Sequence, residues 1–131
     1  MPEILSKCRR LKSTNNNRLD LVVVDHMQLM TAVKSSDSRQ SEITEISRGL
    51  KMVAKELDCP VIALSQLSRL VEKRTGGKPV LSDLRESGAI EQDADIVMFI
   101  HRPELAAEEK ERQNGKIETE IIIAKNRSGP C

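Results

Sequence analysis

Aromatic side chains are almost missing from this 131-residue chain: Phe99 stands alone, with no Trp and no Tyr. A core built on stacked rings is thereby excluded, and the interior must be aliphatic. Long apolar runs are missing too. None approaches the ~20 residues of a membrane span, and Met1-Pro-Glu-Ile-Leu-Ser-Lys7 lacks the apolar stretch of a signal peptide, so a cytoplasmic protein with no membrane partner is expected. There is little charge of either sign in excess. Lys and Arg number 21 against 20 Asp and Glu, a net charge of +1, and any affinity for polyanions must come from local patches or from repetition in an oligomer. Cysteine is sparse and badly spaced for chemistry. Cys8, Cys59 and Cys131 form no C-x-x-C pair and have no histidine cluster nearby, which argues against zinc ligation and a disulfide framework and for thiols in a reducing compartment.

What is present reads as alternating helices and strands. Ile4, Cys8 and Leu11 recur at helical spacing behind Pro2, and Asn15-Asn-Asn17 ends that helix. Leu19 to Val24 is apolar apart from Asp20 and rich in β-branched residues, the pattern of a buried parallel strand, with Asp25 at its C-terminal end. Lys34 to Ser41 is a polar loop. Ile43, Ile46, Leu50, Val53, Ala54 and Leu57 then mark one face of a long helix closed by Pro60. Val61-Ile-Ala-Leu64 repeats the buried-strand pattern and runs into Ser65-Gln66, so strand, helix and strand follow in the order of a right-handed parallel crossover. Leu67 to Arg74 can continue as a helix, and Thr75-Gly-Gly-Lys-Pro79 makes a basic turn. A third buried strand is expected at Ile96 to Ile100 and a fourth at Ile117 to Lys125, separated by a charged excursion from Pro103 to Gly115. Asn126-Arg-Ser-Gly-Pro130 is a turn. The fold class is α/β, with a mostly parallel central sheet flanked by helices.

The segment Leu81-Ser-Asp-Leu-Arg-Glu-Ser-Gly-Ala-Ile-Glu-Gln-Asp-Ala-Asp95 is the most telling. It gathers arginine, glutamates, a glycine and three aspartates into one polar connection just before a buried strand. An acidic residue at a strand end, as in Leu21-Val-Val-Val-Asp25, either caps the following loop or holds a metal-bound water beside phosphates.

Six blocks taken together, Asp25 to Met30, Ser41 to Lys51, Ala54 to Leu57, Val61 to Leu67, Asp83 to Asp95 and Glu120 to Pro130, resemble the C-terminal RecA-like motor domain of DnaB-type replicative helicases, in order and over essentially the whole chain. The resemblance implies a P-loop NTPase core, here incomplete, with residues 1–131 a partial motor domain running from the Walker B strand to the turn after the arginine-finger strand. It implies ATP and Mg²⁺ as ligands, with Asp25 the Walker B carboxylate and Gln66 a sensor of the γ-phosphate. Lys125 and Arg127 then reach the γ-phosphate bound by a neighbouring subunit, where a guanidinium neutralises charge building up in phosphoryl transfer. Such action in trans requires a head-to-tail homo-oligomeric ring, a hexamer in this family. Arg85, with the main chain near Glu86 and Gly88, is expected to hold single-stranded DNA phosphates along the central channel. On residues alone, an ion pair from Arg85 to Glu86, Glu91 or Asp93 competes with that role. Six copies of one modest contact supply the charge that +1 cannot, and the lack of aromatics argues against base stacking. Primase and a helicase loader are the further partners implied, and the compartment is a bacterial cytoplasm and nucleoid or an organellar equivalent. His26 and Met27 depart mildly from the family pattern, and His26 reads as packing.

One element of that chemistry is missing from the chain. A phosphate cradle needs G-x-x-x-x-G-K-[ST], but Gly77-Lys78 and Gly115-Lys116 are followed by Pro79 and Ile117, and Glu72 and Lys110 stand at the upstream glycine position. The expectation is a piece of an ATP-driven 5′-to-3′ helicase, silent in catalysis alone, whether a truncation, a split gene or an intein-interrupted piece ending at Cys131. The alternative is a binding or regulatory module that docks on a complete ring. A recombinase or clock-type ATPase of the same superfamily shares the strand and Asp25 but is not expected to carry Arg85-Glu-Ser-Gly88.

Overall fold

The structure is a computed structural model that describes residues 2–32, 38–68, 71, 77–102 and 119–131, with the main chain alone for 85–87. It divides into two units, the first formed by Met1–Gln66 with Glu86–Asp93 and the second by Leu67–Arg85 with Ala94–Cys131.

In the first unit, helix α1 (Pro2–Thr14) buries Cys8, and Asn16 and Asn17 at positive φ end it, a conformation Asn tolerates better than most residues. Strand β1 is only Val22–Val24, shorter than the apolar run from Leu19 suggests; Leu19 packs instead on the core beside Cys8, Val53, Leu57 and Cys59. Helix α2 (Arg39–Leu57) starts inside the stretch read as loop, because Ser38 caps it by accepting from the Ser41 N–H at 3.2 Å. Asp58 ends it in the left-handed region at φ 48°, and Lys12 Nζ donates to the Leu57 carbonyl at 2.6 Å, satisfying an acceptor the helix leaves open. Ile43, Ile46, Leu50, Val53 and Leu57 are buried along one face, as the spacing predicts. A second core cluster joins Met27, Ile43, Ile46 and Leu50. Strand β2 (Val61–Ala63) pairs parallel with β1, in the register Val22 with Val61 and Val24 with Ala63.

The stretch from Leu81 to Asp95, read from the sequence as a polar connection, is largely helical: a 3-10 segment spans Leu81–Ser87 and the short helix α3 covers Gly88–Asp93. Neither has enough turns to show an apolar period. In the second unit the 3-10 segment opens with a reciprocal cap. The Val80 N–H donates to Asp83 Oδ2 at 2.8 Å, and the Asp83 N–H returns to the Val80 carbonyl at 2.9 Å.

Strands β3 (Ile96–His101) and β4 (Glu120–Asn126) form an antiparallel pair, so the described residues hold one parallel and one antiparallel pair of strands. The start of the fourth strand, read from Ile117, and the excursion from Pro103 lie outside the described residues. Val97 and Phe99 are buried with Leu84, and Ile122 and Ala124 pack against them. Ile96, Met98, Ile100, Ile121 and Ile123 face the other way and are exposed, Ile100 by 71%. The strand expected to be buried is, among the described residues, covered on one face. Among the described residues no helix is long and apolar enough to cross a membrane.

Candidate functional site

Parallel pairing sends β1 and β2 out at the same end of their sheet. The ladder runs one step beyond the strands, with the Leu64 N–H on the Val24 carbonyl and the Met27 N–H on the Leu64 carbonyl, both at 2.9 Å. Asp25 follows Val24 and Gln66 lies three residues past Ala63, so the two polar residues share this strand end. The Asp25 side chain is 73% exposed, with His26 Nδ1 3.6 Å from its Oδ1; His26 itself is half-buried. The Asp25–His26 peptide is cis.

Gln28 completes this end and was not singled out by reading the sequence. Its Nε2 donates to Ser65 Oγ at 2.9 Å and to the Gln66 carbonyl at 3.2 Å, while its Oε1 accepts from the Gln66 N–H at 3.3 Å. The Gln28 carbonyl accepts in turn from Arg39, at the start of α2, and Arg39 also pairs with Glu42. Glu42 Oε1 takes the Ala32 N–H at 3.2 Å. That main-chain donor, and then Arg39, hold the Glu42 carboxyl below its ordinary value of 4.5.

Gly88 opens α3 on the same unit and is exposed; a Cβ there would meet nothing within 4 Å. Arg85 and Glu86 fall in the 3-10 segment, and their side chains lie outside the described residues. Asp93, one of the ion-pair partners considered for Arg85, accepts from Ser47 Oγ on α2 at 2.8 Å.

On the second unit, Lys125 lies in β4 opposite Val97 and is half-buried. Arg127 sits just past the strand, where its N–H donates to the Asp95 carbonyl at 2.8 Å and its Nη1 lies 3.1 Å from Asp95 Oδ1. The turn that follows is tight. Asn126 Nδ2 donates to the Pro130 carbonyl at 3.1 Å, and any Cβ on Gly129 would come within 2.6 Å of that nitrogen. The basic loop does not present Lys78 unpaired: its Nζ lies 2.8 Å from Glu120 Oε2, and this hydrogen bond lowers the Glu120 pKa. Lys73 and Arg74 lie outside the described residues.

No group of three or more His, Cys, Asp or Glu side chains that could hold a metal ion occurs among the described residues. Asp25 brings one accessible carboxylate, which fits a hard cation held mainly by phosphates and water.

Residues 1–131 match the family described as DnaB-like helicase C terminal domain. The chain is 54% identical over 130 residues to Replicative DNA helicase DnaB of Mycobacterium leprae (strain TN), covering 99% of this chain and 21% of that protein. It is 54% identical over 129 residues to Replicative DNA helicase DnaC of Bacillus subtilis (strain 168), covering 98% of this chain and 27% of the relative. Among solved structures, an ATPase domain superposes with a TM-score of 0.82 at 47% identity, over 97% of this chain and 44% of that one. A DnaB-like replicative helicase, solved in a study of its interactions with primase, superposes with a TM-score of 0.81 at 47% identity, over 97% of this chain and 30% of that one. The chain thus spans about a fifth to a quarter of the length of these curated relatives.

Proposed function

We propose, from the premise that this chain belongs to the DnaB-like helicase C-terminal domain family, that it forms part of the motor of a replicative DNA helicase, a homo-hexameric ring that hydrolyses ATP to move 5′ to 3′ along single-stranded DNA. The observation that carries this reading is the shared strand end of Asp25 and Gln66, held together by Gln28. Ligands of open α/β sheets sit at the carboxyl ends of strands.

In this reading Asp25 orients a water on the Mg²⁺ that accompanies ATP, and the Gln66 amide meets the γ-phosphate. Bound Mg²⁺ supplies charge neutralisation across the phosphates. Lys125 and Arg127 serve the nucleotide of a neighbouring subunit, as cations whose charge opposes that of the transferring phosphoryl group. Arg85 and the main-chain amides near Glu86 and Gly88 grip DNA phosphates, a contact indifferent to base sequence and repeated around the ring. Primase and a loader are partners of the assembled ring, and the compartment is the one that holds the chromosome.

The phosphate-cradling motif is not in these 131 residues, so the chain needs a complete motor around it to hydrolyse ATP. The test is a chimaera in which this chain replaces the matched stretch of the Bacillus subtilis relative. DNA-stimulated ATP hydrolysis and unwinding are expected from the chimaeric ring, and neither from the 131-residue chain alone. Hydrolysis by the chain alone, abolished in D25A, overturns the second expectation; an inactive but assembled ring overturns the first. The exposed apolar side of β3 and β4 favours one other reading, a module that docks on a complete ring. That reading requires the chain to co-migrate with an intact ring and to alter its unwinding.

A further inference from the structure

Gln66 lies beyond the last ladder bond of β2, where no neighbouring strand among the described residues holds its main chain. The Gln28 side chain takes over that task. Its amide offers one donor and one acceptor to the Gln66 main chain, Nε2 to the carbonyl at 3.2 Å and Oε1 to the N–H at 3.3 Å, as a paired strand would. A third bond, Nε2 to Ser65 Oγ at 2.9 Å, fixes the amide plane. The orientation follows from chemistry: turning the amide over would set donor against donor and acceptor against acceptor. Gln28 is itself anchored, since it sits in the 3-10 turn Met27–Leu29 three residues after Asp25 and its carbonyl accepts from Arg39.

We infer that Gln28 is a positioning residue of the hydrolytic site, one that sets the main chain of Gln66 relative to Asp25 and so aims the Gln66 amide at the γ-phosphate. The inference rests on the reading of Gln66 as the γ-phosphate sensor. An asparagine is one methylene too short to reach both main-chain groups, and a methionine fills the same space with neither donor nor acceptor of comparable strength. Small displacements of a group that must meet a reacting phosphate are costly: on the order of 10²-fold in rate for an error near 1 Å. Binding of ATP is expected to draw mainly on a phosphate cradle, whose motif is not in these 131 residues, and less on that aim. Loss of Gln28 therefore falls on kcat.

The test uses the chimaeric ring with Gln28→Met, Ser65→Ala, Gln66→Ala and the Gln28→Met/Gln66→Ala pair, each read as kcat and KM for ATP with single-stranded DNA present. Gln28→Met is expected to lower kcat by about 10- to 100-fold while KM moves less than about threefold. The paired variant is expected to be no slower than Gln66→Ala alone, because Gln28 acts through Gln66. Should Gln28→Met fail to assemble, Ser65→Ala removes the Oγ anchor alone and must still lower kcat with KM unchanged. Unaltered kcat in Gln28→Met, or in Ser65→Ala where that variant stands in, alongside an impaired Gln66→Ala overturns the positioning role and leaves the sensor standing. Additive losses in the pair overturn it as well. A fully active Gln66→Ala removes the sensor reading instead.

Discussion

Ser47, only 7% exposed in the middle of α2, donates from Oγ to Asp93 Oδ2 at 2.8 Å. This bond joins the helix that follows the Asp25 strand end to the helix that opens at Gly88. A serine inside a helix usually turns back to its own main chain or outward to water. Here the hydroxyl is used across elements. Ser47→Ala leaves a carboxylate that must find water, a loss of about 1–2 kcal/mol local to α3. The expected readout, in the chimaeric ring, is a roughly 5- to 30-fold drop in hydrogen-exchange protection of the Gly88–Asp93 amides, with those at the α1 end of α2 unchanged. Equal protection in both proteins sinks the claim that this bond holds α3 in place.

Asp25→Asn keeps the shape of the strand end and removes its charge. Because the side chain is exposed, the fold loses little. Hydrolysis by the chimaeric ring is expected to fall on the order of 10²–10³-fold, with the loss unrelieved by DNA, measured by phosphate release at saturating ATP. An active Asp25→Asn ring would assign the metal-facing role elsewhere.

Arg127 and Asp95 form an exposed pair, 50% and 56% accessible, so the ion pair itself contributes little to stability. Arg127→Ala is expected to melt within a few degrees of the parent ring and to lose about 10³-fold or more in hydrolysis. Mixing it with Asp25→Asn subunits tests action in trans, because each subunit type then supplies the part the other lacks. Mixed rings that hydrolyse no faster than either parent argue against a role across the subunit boundary.

Among the carboxylates that folding lowers, two are held by a partner outside their own helix or strand, and they bear on the pH dependence. Glu42, held by the Ala32 N–H and Arg39, and Glu120, held by Lys78, both titrate below their ordinary value of 4.5. A carboxyl lowered by folding stabilises the folded state above its unfolded pKa and loses that contribution as pH falls through the folded one. Stability is therefore expected to be unaffected by these groups above about pH 6 and to weaken only in acid. In Lys78→Met the Glu120 carboxyl should titrate closer to 4.5 by carbon-13 NMR. An unchanged titration shows that Lys78 is not the cause.

Met98, Ile100, Ile121 and Ile123 form cross-strand pairs on the open side of β3 and β4, Met98 beside Ile123 and Ile100 beside Ile121. An apolar ladder of this kind invites association. The 131-residue chain alone is expected to self-associate at micromolar concentration by light scattering, and Ile100→Lys with Ile121→Glu to reduce it. A monodisperse parent chain with a cooperative thermal transition contradicts this.

Much of the architecture was legible because apolar runs and periods are local. Leu19 to Val24, Val61 to Leu64 and Ile96 to Ile100 stand out as strands, the first two slightly longer than the strands that form, and the 3.6-residue recurrence from Ile43 to Leu57 stands out as a helix, from the residues alone. The helical stretch within Leu81–Asp95 does not, since its 3-10 segment and single short α-helix are too brief to show a period. The direction of β4 was also hidden: alternation marks a strand with one covered face, not the sense in which it pairs.

The amino-acid sequence by itself determined an aliphatic α/β chain, placed Asp25 and Gln66 after two strands, and carried the motif blocks of the family to which the chain belongs. Only tertiary structure decided that parallel pairing brings those two ends together, that Gln28 holds Gln66 across a separation of 38 residues, and that Ser47 meets Asp93. Local pattern encodes which face of an element is apolar. Which polar groups meet depends on how the elements pack, and a single glutamine carries no sign of that in its neighbours along the chain.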